Sequence, residues 1–98
     1  MIANRYKKAG YTVKTNKIIK LNQYKNAEID IFAIRKGEKL VIESKTGSQT
    51  ITSNDIIKLS KKANKVKAKA VLYLGPKTKI TEKAKALAKK LGITIKRG

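Results

Sequence analysis

Short apolar runs, separated by glycine-bearing or polar turns, divide this chain into strands and amphipathic helices. Residues 2–9 carry Ile2, Tyr6 and Ala9 on one helical side, and Gly10 stands where a helix stop is needed. Tyr11-Thr12-Val13 begins a first strand, which can resume at Ile18-Ile19-Lys20-Leu21, and residues 22–26 read as a polar turn. A second strand covers residues 27–34, Lys36-Gly37-Glu38 is a hairpin turn, and a third strand covers residues 39–45. After a loop at Thr46-Gly47-Ser48-Gln49, Thr52 or Ser53 caps a helix over about residues 54–66, with Asp55 in its first turn. Ile56, Leu59, Ala63 and Val66 form its inward stripe.

The run Ala70-Val71-Leu72-Tyr73-Leu74 is almost wholly apolar and ends at Gly75-Pro76, as a central strand buried on both faces should. Thr81 caps a last helix whose inward positions are Ala84, Leu87, Ala88 and Leu91, with Gly92 as its stop and Ile93-Thr94-Ile95 as a final strand. The predicted order is αβββαβαβ in one domain, residues 1–98. The first three strands form an antiparallel meander, and the helix-linked strands extend it in parallel through right-handed crossovers. The fold class is α/β, a mixed sheet with helices on both faces.

Composition narrows the chemistry. The chain has no Cys and no His, so disulfides, thiolate metal sites and imidazole bases are excluded. Any metal must be held by oxygen ligands, which points to Mg²⁺ or Mn²⁺. No apolar run approaches the ~18 residues of a membrane span and the N-terminus lacks a signal-peptide core, so a soluble, cytoplasmic protein without a membrane partner is expected. Twenty-five Lys+Arg stand against six Asp+Glu, a formal net charge of +19. A thermophile's lysine-rich surface normally enriches Glu as well. Here Glu is scarce and the lysines run along the whole length, so the expected partner is a polyanion, a nucleic acid.

Against this positive field, two apolar runs carry acids. They are Glu28-Ile29-Asp30-Ile31-Phe32-Ala33-Ile34 and Leu40-Val41-Ile42-Glu43-Ser44-Lys45. Glu-x-Lys alone says little, since the composition predicts about one acid-x-Lys match by chance. Its context says more. Glu43 and Lys45, two apart on a strand, share a face, while Ser44 points the other way. A meander turning at Lys36-Gly37 sets Asp30 opposite roughly Glu43. Two such carboxylates repel unless one is protonated or a cation lies between them. A divalent metal is one solution; an internal ion pair of Lys45 with Glu43 or Asp30 is the other.

The run from Asn26 to Gly47 resembles the core of the PD-(D/E)xK nucleases, the restriction-endonuclease-like superfamily, and is nearest to its archaeal Holliday-junction resolvase and RecB-like or Mrr-like branches. The element order fits that fold along most of the chain. Ile29 stands where the motif's name has Pro. The resemblance implies that Asp30 and Glu43 bind Mg²⁺ or Mn²⁺ with the Ser44 backbone carbonyl. It also implies that Lys45 orients or activates the attacking water and stabilises charge on the phosphorus. In the resolvase branch a Glu on the first helix completes the site; the first helix here contains no acid. Glu28 is the nearby substitute, or else a strand-end carboxylate paired with Lys25 or Lys45.

The residues expected to meet nucleic acid are Lys7, Lys8, Thr46, Gln49 and the second-helix lysines Lys58, Lys61, Lys62 and Lys65, the last four on that helix's outer side. Each can also be a solvated polar position. Tyr6 and Tyr11 read as packing, Tyr73 as core and Tyr24 as an open turn position. The function implied is a metal-dependent endonuclease on DNA, branched DNA by the resolvase analogy, acting as a homodimer. The competing classes are a nucleic-acid-binding protein that keeps the fold without catalysis, and a small RNA-binding or ribosome-associated protein.

Overall fold

The computed structural model describes residues 2–97; Met1 and Gly98, the ends of the expected domain, lie outside the described residues. The elements are α1 (Ile2–Lys8), β1 (Thr12–Asn22), β2 (Lys25–Arg35), β3 (Glu38–Lys45), β4 (Thr50–Ile51), α2 (Ser53–Lys65), β5 (Lys69–Leu74), β6 (Lys79–Ile80), α3 (Glu82–Lys90) and β7 (Thr94–Arg97). The main sheet has the order β1-β2-β3-β5-β7, antiparallel through β3 and parallel thereafter. This is the expected mixed sheet. No helix among the described residues is long and apolar enough to cross a membrane.

Two adjustments have clear causes. The first strand is continuous, and the turn after it shrinks to Gln23 and Tyr24, because long antiparallel pairing with β2 carries the polar stretch at residues 14–17. The pair β4 and β6, missed in the sequence, forms a second small parallel sheet whose two-residue strands are too short to have a readable period.

Two cores lie on opposite sides of the main sheet. On one side α2 and α3 cover Ile19, Ile29, Phe32, Val41, Leu72 and Leu74. On the other, α1 lays Ile2 and Tyr6 against Ala33, Leu40, Ile42, Val71 and Tyr73. Leu91 was expected inward but is 44% exposed, because α3 ends at Lys90 and Leu91 has left the helical face. On the α1 side the polar tips of the aromatics are hydrogen-bonded. The Tyr6 and Tyr73 hydroxyls lie 3.2 Å apart, Tyr11 donates to Glu38 Oε1, and Arg35 donates to the Ala9 carbonyl at 2.7 Å while stacking over Tyr11. Burial, reinforced by the Tyr73 hydroxyl, pushes the Tyr6 phenol above its ordinary 10.0.

The β1–β2 hairpin changes face partway along. Ile19, Ala27 and Ile29 face the α2 side, as do Phe32 and Ile34, but Ile31 and Ala33 face α1. Strict alternation would keep Ile29 and Ile31 together, so the phase slips between them. Pairing is regular at Thr15↔Ile31 and Lys17↔Ile29, and Asn16, between them on β1, has φ 51. Asn tolerates this left-handed conformation better than most residues. The residue facing that kink on β2 is Asp30.

Candidate active site

The hairpin from β2 to β3 turns through Lys36 and Gly37, both at positive φ (48 and 82), as a two-residue loop of the type that matches strand twist. This sets the register Arg35↔Glu38 through Ile31↔Ile42. One step further Asp30 and Glu43 would be opposite, and there the ladder stops. In place of a backbone bond, Asp30 Oδ2 accepts from the Ser44 backbone N–H at 3.3 Å. The two strands part where the carboxylates stand. Glu43 and Lys45 are paired with Leu72 and Leu74 of β5, both on the α2 side, while Ser44 is paired with Tyr73 on the α1 side. Asp30, Glu43, Ser44 and Lys45 are therefore brought together, and Glu43 and Lys45 share a face.

Glu43 is only 6% exposed. A carboxylate so buried needs a cation, and the partner is Lys62 of α2, whose Nζ lies 2.5 Å from Glu43 Oε1. The sequence had Lys62 on the outer side of its helix. It instead borders the inward stripe, three residues after Leu59 and beside Ala63, and its stem reaches under the helix. The signal was present: residue 62 is a helical neighbour of both Leu59 and Val66. Neither Lys45 on an acid nor Lys25 or Lys45 on Glu28 occurs among the ion pairs of the described residues.

Glu28 is exposed, on the far side of the phase slip from β3. Among the described residues no three acids group closely enough to hold a metal, so Glu28 does not join Asp30 and Glu43. The donors expected from the resemblance, the Asp30 and Glu43 carboxylates and the Ser44 backbone carbonyl, are all hard oxygens. They fit a small divalent cation that keeps water or phosphate oxygens in its other positions. The cationic Lys62 against Glu43 also indicates that positive charge is accommodated there.

The loop after Lys45 is anchored from beneath. The buried Thr78 Oγ1 lies 3.2 Å from the Lys45 carbonyl and 2.8 Å from that of Gly47, and Gly75 N donates to Lys45 O at 2.8 Å. A Cβ on Gly75 would meet Thr46 Cα at 3.2 Å, so a glycine lets the two loops touch. Arg97 clasps the carbonyls of Gly75 and Thr78. Sequence reasoning missed Thr78 and Arg97; nothing in their neighbourhood marks them as supports. Thr46 and Gln49 are exposed on this loop, Gln49 Nε2 bonding the Thr46 carbonyl at 2.8 Å.

Between α2 and the tip of the β1–β2 hairpin lies a cleft of about 460 Å³. Leu21, Ala27 and Ile57 give it apolar walls, and Lys25, Lys58, Lys61 and Lys62 line it with positive charge. A neighbouring hollow continues past Lys61 to Lys65. Lys25 was not among the expected contacts. Lys7 and Lys8 are exposed on α1, on the opposite side of the sheet, and are not gathered with the α2 lysines.

Known proteins share this fold. Over 99% of the chain, the fold superposes on AF1548, a crystallised protein of unknown function, with a TM-score of 0.79 and 25% identity. A repair endonuclease from Pyrococcus abyssi matches over 97% of the chain with a TM-score of 0.71 and 19% identity. EndoMS, solved in complex with double-stranded DNA, matches over 90% with a TM-score of 0.60 and 16% identity. The chain spans 54%, 41% and 36% of these three proteins. No curated protein sequence matches it. Residues 1–97 match the nuclease-related domain model, so the chain belongs to the nuclease-related domain family, within the PD-(D/E)xK nuclease superfamily.

Proposed function

We propose that this domain is a metal-dependent endonuclease that hydrolyses DNA phosphodiester bonds. The observation that carries the reading is the parting of β2 and β3 at Asp30 and Glu43, with Lys45 on the face of Glu43. Asp30, Glu43 and the Ser44 carbonyl would hold Mg²⁺ or Mn²⁺. Such an ion, when bound, acts as a Lewis acid on the phosphate and lowers the pKa of its water. Lys45, half-buried and set on a strand anchored through its own carbonyl, offers a fixed positive charge to the oxygens that gain charge in the transition state. Thr46 and Gln49 lie beside it as hydrogen-bonding groups for the flanking phosphate.

DNA is supported as substrate by the net charge of +19, by the lysine-lined cleft and by the repair endonuclease and DNA-bound EndoMS among the similar folds. Branched DNA is the finer reading. It requires two sites to reach two strands, which a homodimer supplies. A second reading, a DNA-binding domain that has kept the fold without catalysis, is favoured by one observation: neither α1 nor Glu28 adds a third acid.

The test is cleavage of plasmid and four-way-junction DNA with Mg²⁺ or Mn²⁺ by the wild type, Asp30→Asn and Lys45→Ala. The nuclease reading expects cleavage by the wild type and its loss in both variants. Equal residual cleavage in all three removes the site assignment. Salt-sensitive binding without cleavage by any of them favours the second reading.

A further inference from the structure

Lys62 has two environments at once. Its ammonium pairs with the buried Glu43, yet the same side chain lines the cleft beside Lys25, Lys58 and Lys61. Lys58 and Lys62, one helical turn apart, project on the same side of α2. Among the described residues the ion pairs are Lys62–Glu43 and Lys85–Glu82, so the other cleft lysines have no carboxylate partner there. The cleft thus concentrates ammonium groups around a space with no acidic lining residue, and one of them is diverted inward.

We propose that this cleft is a phosphodiester-binding subsite, and that a nucleic-acid strand entering it draws Lys62 off Glu43 and so frees the acid pair for a divalent cation. This rests on the reading of Asp30 and Glu43 as the metal-holding pair. The physical argument is competition. With the Lys62 and Glu43 side chains both largely out of solvent, solvent screens their neighbourhood weakly. An ammonium and a divalent ion on one carboxylate repel strongly at such range. Among the described residues the cleft itself offers Lys62 no carboxylate, because its charged neighbours there are lysines. A phosphate supplies one, and the flexible four-carbon stem of lysine lets the head group move between them. Strand binding and metal binding then favour each other, and linkage makes the effect reciprocal. The ion would be taken up chiefly when there is a strand to cut.

The experiment measures Mn²⁺ affinity by titration calorimetry, with and without a short phosphorothioate oligonucleotide and with oligonucleotide-alone heats subtracted, in wild type, Lys62→Met and Lys58→Met. In the wild type the oligonucleotide should tighten Mn²⁺ binding about tenfold, a typical coupling. Lys62→Met should bind Mn²⁺ about tenfold more tightly than wild type without oligonucleotide, and gain little more when it is added. Lys58→Met touches the cleft but not Glu43. It should match the wild type in Mn²⁺ affinity without oligonucleotide and bind the oligonucleotide more weakly. Those two measurements decide the matter even if Lys62→Met does not fold. Measurable Mn²⁺ binding that is unchanged by oligonucleotide in the wild type overturns the coupling while leaving the metal site standing. Absence of Mn²⁺ binding in every protein overturns both.

Discussion

The two faces of the main sheet bury polar groups in different ways. Under α1, the polar tips are mostly neutral or surface-anchored: Tyr6 meets Tyr73, and Tyr11 and Arg35 tie the helix end to the rim of the sheet. Under α2, the sheet buries Glu43 against the part-buried Lys62, next to a cleft whose other lysines have no carboxylate partner among the described residues. A hydroxyl pair satisfied in place stabilises a fold at modest cost. A buried ion pair seldom improves on an apolar pair of the same volume, so its presence asks for another explanation. The α1 face is thus built as a scaffold, while the α2 face carries the acids and lysines of the proposed site.

Substitutions on either side should separate the two faces. The largest expected effect is on the α2 side. Lys45→Ala should lower the cleavage rate by about 10²–10³-fold, the usual loss for a single stabilising group, with little change in melting temperature. A variant that melts early while cleaving normally would make Lys45 part of the scaffold. Next comes the support beneath the loop. Thr78→Val removes the hydroxyl set between the carbonyls of Lys45 and Gly47 and should destabilise the protein by about 1–3 kcal/mol in urea unfolding. Since the Lys45 strand end loosens with it, cleavage should fall as well; unchanged stability would show that Gly75 N alone holds the loop.

The smallest effect belongs to the α1 side. Tyr6→Phe removes one partly buried hydroxyl contact and should cost about 0.5–1.5 kcal/mol while sparing cleavage. The same residue gives a pH signature. Because its folded-state pKa is raised, its contribution is fully present below about pH 10 and is lost as the pH rises from there toward the raised value. Alkaline unfolding followed in wild type and Tyr6→Phe should therefore differ in slope above pH 10. Parallel curves would mean that the Tyr6 environment is not what the fold presents.

Much of this was legible because of one turn. Gly37 after Lys36 permits a tight two-residue connection, and that alone dictates which residue of β2 comes opposite Glu43. Periodicity then assigned Glu43 and Lys45 to one face and identified the stripe Ile56, Leu59 and Ala63. What stayed hidden depended on distance along the chain. The Lys62–Glu43 pair joins two elements nineteen residues apart, and lysine's long stem lets it sit at the margin of either helix face. The anchoring of Lys45 and Gly47 by Thr78 spans more than thirty residues and rests on a buried hydroxyl, for which no local pattern exists. The phase slip at Asn16 was disguised because the polar stretch around it resembles a break between two strands rather than a kink within one.

That kink has a consequence for how the molecule behaves in a crowd. β1 is an outer strand of eleven residues, long enough to recruit a neighbour's strand through its unpaired backbone. Asn16, at φ 51, kinks it, so an incoming strand would have to follow the kink to pair along the whole edge. Lys14, Lys17 and Lys20 add like charge against any second copy. The local distortion opposite Asp30 thus also makes this long edge a poorer template for a second copy.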